Sequence, residues 1–157
     1  MKKFILEFIA SLASSLYPSN SYDVRLVNNK PFIFKHTTDE GVAALLMYRV
    51  LWLFYIPFIE VTDIFYTFEE DEQNFILQHE YAHYIYKHYK RFYDYLSDDE
   101  MNKVEMYADL YATIRTSKDA ALRALTRLEE ICSELLFDTK YIHERIMNIE
   151  RIEERAD

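Results

Sequence analysis

The string His79-Glu80-Tyr81-Ala82-His83 sets two imidazoles four residues apart with a carboxylate beside the first. On a helix, residues four apart share a face, so both rings can reach one metal ion at about 2.0 to 2.1 Å while Glu80, one step round, reaches a water on that metal. The chemistry such a trio performs is hydrolysis. The metal polarises a carbonyl and lowers the pKa of the water, and the glutamate takes the water's proton. For this string alone the competing reading is a helix surface carrying two hydrogen-bonded histidines.

A catalytic zinc needs a third protein ligand and an open position for water. Glu105 is the candidate, at the head of Glu105-Met106-Tyr107-Ala108-Asp109. These residues fall on a helix expected after a turn at Ser97, and an antiparallel return brings that helix beside the first. Asp109 lies one turn beyond Glu105 on the same face. It is placed to accept a hydrogen bond from the second nitrogen of a ligating histidine, which fixes the tautomer and strengthens the ligand. Ala108 and Ala112 let the two helices approach closely. An exposed acidic face is the ordinary fate of such carboxylates, but it would leave those alanines, beside Tyr107 and Tyr111, without a reason.

The elements that must position these groups follow from caps and periodicity. Thr67-Phe68-Glu69-Glu70 carries a capping-box signal, and no Gly or Pro follows it, so a long helix is expected from about Phe68 to about Tyr95. Ser97-Asp98-Asp99-Glu100 repeats the signal and starts a helix to about Thr116, with Val104, Tyr107, Leu110, Tyr111 and Ile114 on its apolar side. Leu122, Leu125, Leu128, Ile131, Cys132 and Leu135 define the next helix, and a last one begins near Ile142. Upstream, Tyr22 to Lys35 reads as two short strands joined at Asn28-Asn29-Lys30. Thr37-Thr38-Asp39-Glu40 signals a helix to about Val50, and Leu53 to Asp63 a strand whose Pro57 favours a sheet edge.

Composition narrows the class. With 157 residues, half of them hydrophobic and 29% charged, and with one Gly and three Pro, the chain is expected to form one domain without long linkers. A formal net charge of -9 argues against nucleic acid, which is bound through clustered Lys and Arg. The single cysteine, Cys132, excludes an internal disulfide framework and is expected to be a buried, inert thiol. Phe4, Ile5, Phe8, Ile9, Leu12 and Leu16 recur at helical spacing after a basic start, and Glu7 interrupts the apolar run, so an amphipathic helix over 1–18 is expected rather than a signal peptide. Gly41 to Phe58 approaches membrane-spanning length, but it contains Arg49, which costs about 2.5 kcal/mol or more inside a bilayer. A cytoplasmic location is expected, with membrane association as the less favoured alternative.

Taken further, His79 to His88 resembles the extended helix motif of the HtpX and CAAX-prenyl-protease type of gluzincin metallopeptidase, in which a further histidine follows the second ligand by five positions. Glu105 to Asp109 is similar to that family's glutamate-bearing second helix with its downstream Ala-Asp. Ala120 to Leu128 and Tyr141 to Ile146 resemble its closing segment, so the resemblance covers about residues 60–150. The chain departs from the family in having no proline after His143, Ala82 where a glycine is usual, and no clear membrane-spanning helices. A metzincin would want Gly at Tyr86 and a histidine at Tyr89. His88 is turned well away from the ligand face and reads as structural or surface. The resemblance implies that the closing segment returns to the active site, with Arg145 or His143 as the donor that stabilises an oxyanion.

The expectation is therefore an α+β minigluzincin, mostly helical, with a small sheet over the active-site helix. It would act as a zinc-dependent endopeptidase on a protein or peptide in extended conformation, holding one Zn2+ through His79, His83 and Glu105. The alternatives are a catalytically weak zinc-binding module for peptide recognition or regulation, and a metal-free helical protein whose Tyr and Phe residues form a partner surface.

Overall fold

Asn28 and Asn29 both adopt left-handed backbone angles, with φ of 49° and 60°. Two such residues in succession make the tight turn whose twist matches a strand pair, and asparagine tolerates the left-handed region better than most residues. The turn joins β1 (Ser21–Val27) to β2 (Lys30–Thr37), antiparallel from Val27↔Lys30 to Ser21↔His36. This is the expected hairpin. The computed structural model describes residues 3–16, 20–38, 41–50, 54–88 and 96–152.

The segment expected to be a helix up to Val50 is instead β3 (Ala43–Val50). Its Ala-Ala-Leu-Leu-Met stretch favours a helix by only tenths of a kcal/mol per residue. Against that stands a continuous ladder with β4 (Phe54–Thr62), running antiparallel from Ala43↔Val61 to Val50↔Phe54. Thr37, taken as the cap, is the last residue of β2; Asp39 and Glu40 lie outside the described residues. Gly41, at φ 115°, makes the bend into β3, and the Thr62 hydroxyl donates to its carbonyl at 2.7 Å.

The expected strand at Leu53 to Asp63 is β4, but it is not an edge. The order is β1-β2-β4-β3, with β2 and β4 parallel. Pro57 is accommodated because the β2–β4 ladder starts at Ile33↔Phe58. Along Phe54 to Pro57 only β3 is paired with β4, so the missing N–H is tolerated much as at an edge.

The chain divides into two compact units, Met1–Thr67 and Phe68–Asp157. In the first, α1 (Lys3–Leu16) packs on β1 and β2, and Leu6 and Ala10 form a core with Ile33, Ile56 and Phe58. The helix is the expected one, but its buried stripe is turned from the expected face: Ile5 and Phe8 are exposed and Leu6 is buried. Ala10 lies one turn from Leu6, so the two share the face that packs against Ile33, Ile56 and Phe58. The Gly41 to Phe58 candidate span is a strand pair, and no helix among the described residues is long and apolar enough to cross a membrane.

Among the described residues the second unit holds four helices, α2 (Glu70–Ile85), α3 (Asp98–Arg115), α4 (Lys118–Glu134) and α5 (Lys140–Glu150). Packing pairs α2 with α3 and α4, and α5 with α3 and α4. The N-cap of α2 is Glu69, reciprocally bonded with Glu72, and not Thr67, whose hydroxyl donates to the Ile64 carbonyl. Ser97 caps α3 as expected, bonding with Glu100. The packed face of α3 agrees with the apolar side read from sequence at Val104, which is buried, but continues through the buried Ala108 and Ala112, whereas Tyr107 and Ile114 are exposed, because close helix approach selects small residues. Cys132, expected to be buried, is half-buried.

The hairpin turn supplies a test of this backbone. Asn29→Val should destabilise the protein by about 1–2 kcal/mol through left-handed strain, while Asn29→Gly should cost nothing. Chemical denaturation of the two variants checks this; equal midpoints would show that residue 29 does not hold a left-handed angle.

Candidate metal centre

Three acidic residues in its first turn favour the positive end of the α2 dipole, and two arginines of α4 hold Glu72, Arg123 at 3.3 Å and Arg127 at 3.9 Å. Two turns further on, His79, Glu80 and His83 are all buried. On α3, Glu105 and Asp109 face them, one turn apart. The fully buried Ala82, Ala108 and Ala112 put little bulk between the helices.

Three donor groups converge. His79 Nε2 lies 3.0 Å from His83 Nε2 and 3.1 Å from Glu105 Oε2, and His83 Nε2 lies 3.5 Å from Glu105 Oε1. Four tetrahedral ligands at zinc–nitrogen distance stand about 3.3 Å apart, so these spacings and this imidazole and carboxylate donor set fit a zinc-sized ion. The group His79, His83 and Glu105 could hold a metal ion.

Behind these groups stands a second row. Asp109 Oδ1 accepts a hydrogen bond from His79 Nδ1 at 2.8 Å, the contact expected from sequence. The same carboxylate accepts two bonds from Arg145 of α5, Nε to Oδ2 at 2.6 Å and Nη2 to Oδ1 at 2.8 Å. Arg145 Nη1 also approaches Glu105 Oε2, at 3.4 Å. Arg145 therefore lies beside this group of side chains, where it anchors two carboxylates. His143 does not come in. It is largely exposed on α5 and contacts Glu129 of α4 at 3.2 Å, because a step of two residues turns a helix by about 200° and sends it away from Arg145's side.

The helix carrying the histidines stops well before Tyr95. Tyr86 N–H donates to the Ala82 carbonyl, Lys87 N–H to that of Tyr84, and Lys87 takes φ 57°, a left-handed helix stop. Residues 89–95 lie outside the described residues. This stop explains the misreading of His88. Extrapolated helically, residue 88 points away from His83, but after the turn at Lys87 it is buried, with its Nδ1 2.9 Å from His83 Nδ1. No Gly or Asn marks the turn, so the sequence carried no signal for it.

Electrostatics separates the two imidazoles. Burial opposes a charge on His79, but the Asp109 and Glu105 carboxylates outweigh it and raise its pKa to about 10. Burial, reinforced by the charge on His79, lowers His83 to about 3. For Glu105, burial is overcome by His79 and Arg145, and the carboxyl falls to about 2. Asp109 is likewise buried, and Arg145 with His79 holds it well below the usual carboxylate range. Burial acts against the Arg145 charge too, but Asp109, Glu105 and Glu80 together raise its pKa.

Comparison with protein-family models, with curated proteins and with solved structures gave no match.

For the metal-free protein these shifts set a pH optimum of stability. The charge on His79 contributes fully below its unfolded value of 6.5 and is lost as pH rises towards about 10. His83, held neutral, costs stability as pH falls from 6.5 towards about 3, and the Glu105 contribution disappears between 4.5 and about 2. The melting temperature of chelator-treated protein should peak near pH ~6.5 and fall on both sides. A melting temperature still climbing through mildly alkaline pH would show that His79 does not carry the charge.

Proposed function

We propose that this chain is a zinc-dependent endopeptidase of the gluzincin type. The observation that carries the proposal is the convergence of His79 Nε2, His83 Nε2 and the Glu105 carboxylate at 3.0 to 3.5 Å, with Glu80 as the residue after His79. In this reading His79, His83 and Glu105 hold one zinc ion. The ion, when bound, supplies a Lewis acid and lowers the pKa of water towards about 7.

The remaining work belongs to the chain. Glu80 is buried, and its carboxylate takes a proton from the attacking water and passes it to the leaving amine. Asp109 holds His79 in the tautomer that turns its Nε2 lone pair towards the ligand group. Arg145 fixes Asp109 from behind through two hydrogen bonds and offsets the charge of Glu105. The substrate class is an extended peptide, and the bond broken is the amide.

Two measurements test the reading. Elemental analysis should find one zinc per chain in the wild type and little in His83→Ala. Glu80→Gln should keep its zinc and lose about 10²-fold or more of the cleavage rate on a peptide library, as removal of a general base does. Metal-loaded Glu80→Gln that cuts as fast as wild type would sink the role of Glu80, and wild-type protein without affinity for zinc would sink the whole proposal.

A further inference from the structure

Two ring nitrogens 2.9 Å apart, His83 Nδ1 and His88 Nδ1, share one proton, because in such a pair one nitrogen donates and the other accepts. The direction decides what His83 can do. Its other nitrogen, Nε2, faces His79 Nε2 and Glu105. A neutral imidazole has a lone pair on only one nitrogen, so Nε2 can act as a ligand only when the proton sits on Nδ1. Free in water, an imidazole side chain favours the opposite tautomer.

We propose that His88 is the positioning residue of His83. Its Nδ1 accepts the hydrogen bond from His83 Nδ1–H, which keeps the Nε2 lone pair of His83 turned towards the space shared with His79 and Glu105. His88 is thus to His83 what Asp109 is to His79. The two supports differ in chemistry for a reason. Asp109, Glu105 and Glu80 already gather three carboxylates around Arg145, and an imidazole acceptor sets the tautomer without adding a fourth.

The chain around His88 keeps its ring in place. Lys87 at φ 57° takes the backbone out of the helix, and the Tyr86 ring stacks on His88 with centroids 5.7 Å apart. Tyr86 in turn meets Tyr111 of α3 edge-on at 5.9 Å. Ring contacts therefore connect His88 to the helix that presents Glu105. The use made of the lone pair rests on the zinc reading, whereas the tautomer itself can be measured in the metal-free protein.

The experiment uses the full chain as wild type, His88→Phe and His88→Gln. Long-range proton–nitrogen correlation spectra of the metal-free proteins, at one fixed neutral pH, report which nitrogen of His83 carries the proton. Competition with a chromophoric chelator gives the zinc affinity. Wild type should show His83 protonated at Nδ1. His88→Phe should move the proton wholly or partly to Nε2 and weaken zinc binding by about 10 to 100-fold, whereas His88→Gln, which restores an acceptor oxygen, should recover most of both. A wild-type His83 protonated at Nε2, or a His88→Phe variant with the wild-type tautomer and an affinity within about twofold, would overturn the proposal. If His88→Phe fails to fold, the wild-type and His88→Gln spectra decide. If the wild type binds no zinc, the peptidase reading fails by itself and the His83 tautomer still tests the role of His88.

Discussion

Asp109 is a carboxylate with no exposure to solvent, and the second unit is arranged around satisfying it. Taking such an ion out of water costs several kcal/mol, and that cost is recovered only when good hydrogen bonds and opposite charges surround it. Arg145 provides two bonds and a full charge, and His79 a third bond with a raised pKa. Because Asp109 is on α3, Arg145 on α5 and His79 on α2, the bonds that neutralise one buried charge also set the relative position of three helices. Bundle geometry and site geometry are the same set of interactions.

That coupling explains why α2 differs from an ordinary amphipathic helix. Its buried residues include Glu72, Gln78, His79, Glu80 and His83 beside Phe75, Tyr81 and Ala82. An apolar stripe would pack such a helix with less risk. Here polar groups take that place, and several are matched by partners: Arg123 and Arg127 of α4 at the first turn, Glu105 and Asp109 of α3 in the middle, and His88 just past the helix's own end. Local rules of helix design yield where chemistry is concentrated. The alanines on both helices are what let short carboxylate side chains reach across.

The first unit obeys simpler rules, and there the sequence was legible wherever the signal was chemical. The Asn28-Asn29 pair announced the hairpin through its tolerance of left-handed angles, and the aromatic and β-branched run announced β4. The Ala43 to Val50 segment was misread because its helix preference is local, whereas its strand partner is supplied from further along the chain. Pro57 was read correctly as a residue that cannot donate a ladder hydrogen bond, but strand order is not a local property, and the stagger of β2 against β4 gave it a place inside the sheet.

At the site, the sequence by itself determined the ligand candidates, the caps of α3 and the pairing of Asp109 with a histidine, because spacing on a helix converts directly into a shared face. Only the tertiary structure decided the rest. Arg145 serves as a carboxylate anchor and His143 stays outside, a division set by which side of α5 meets α3. His88 turns back to His83 because the backbone leaves the helix at Lys87, and a lysine there gives no notice of a left-handed turn. Periodicity carries information only while the helix continues, and the point at which a chain stops obeying it is settled by packing between elements.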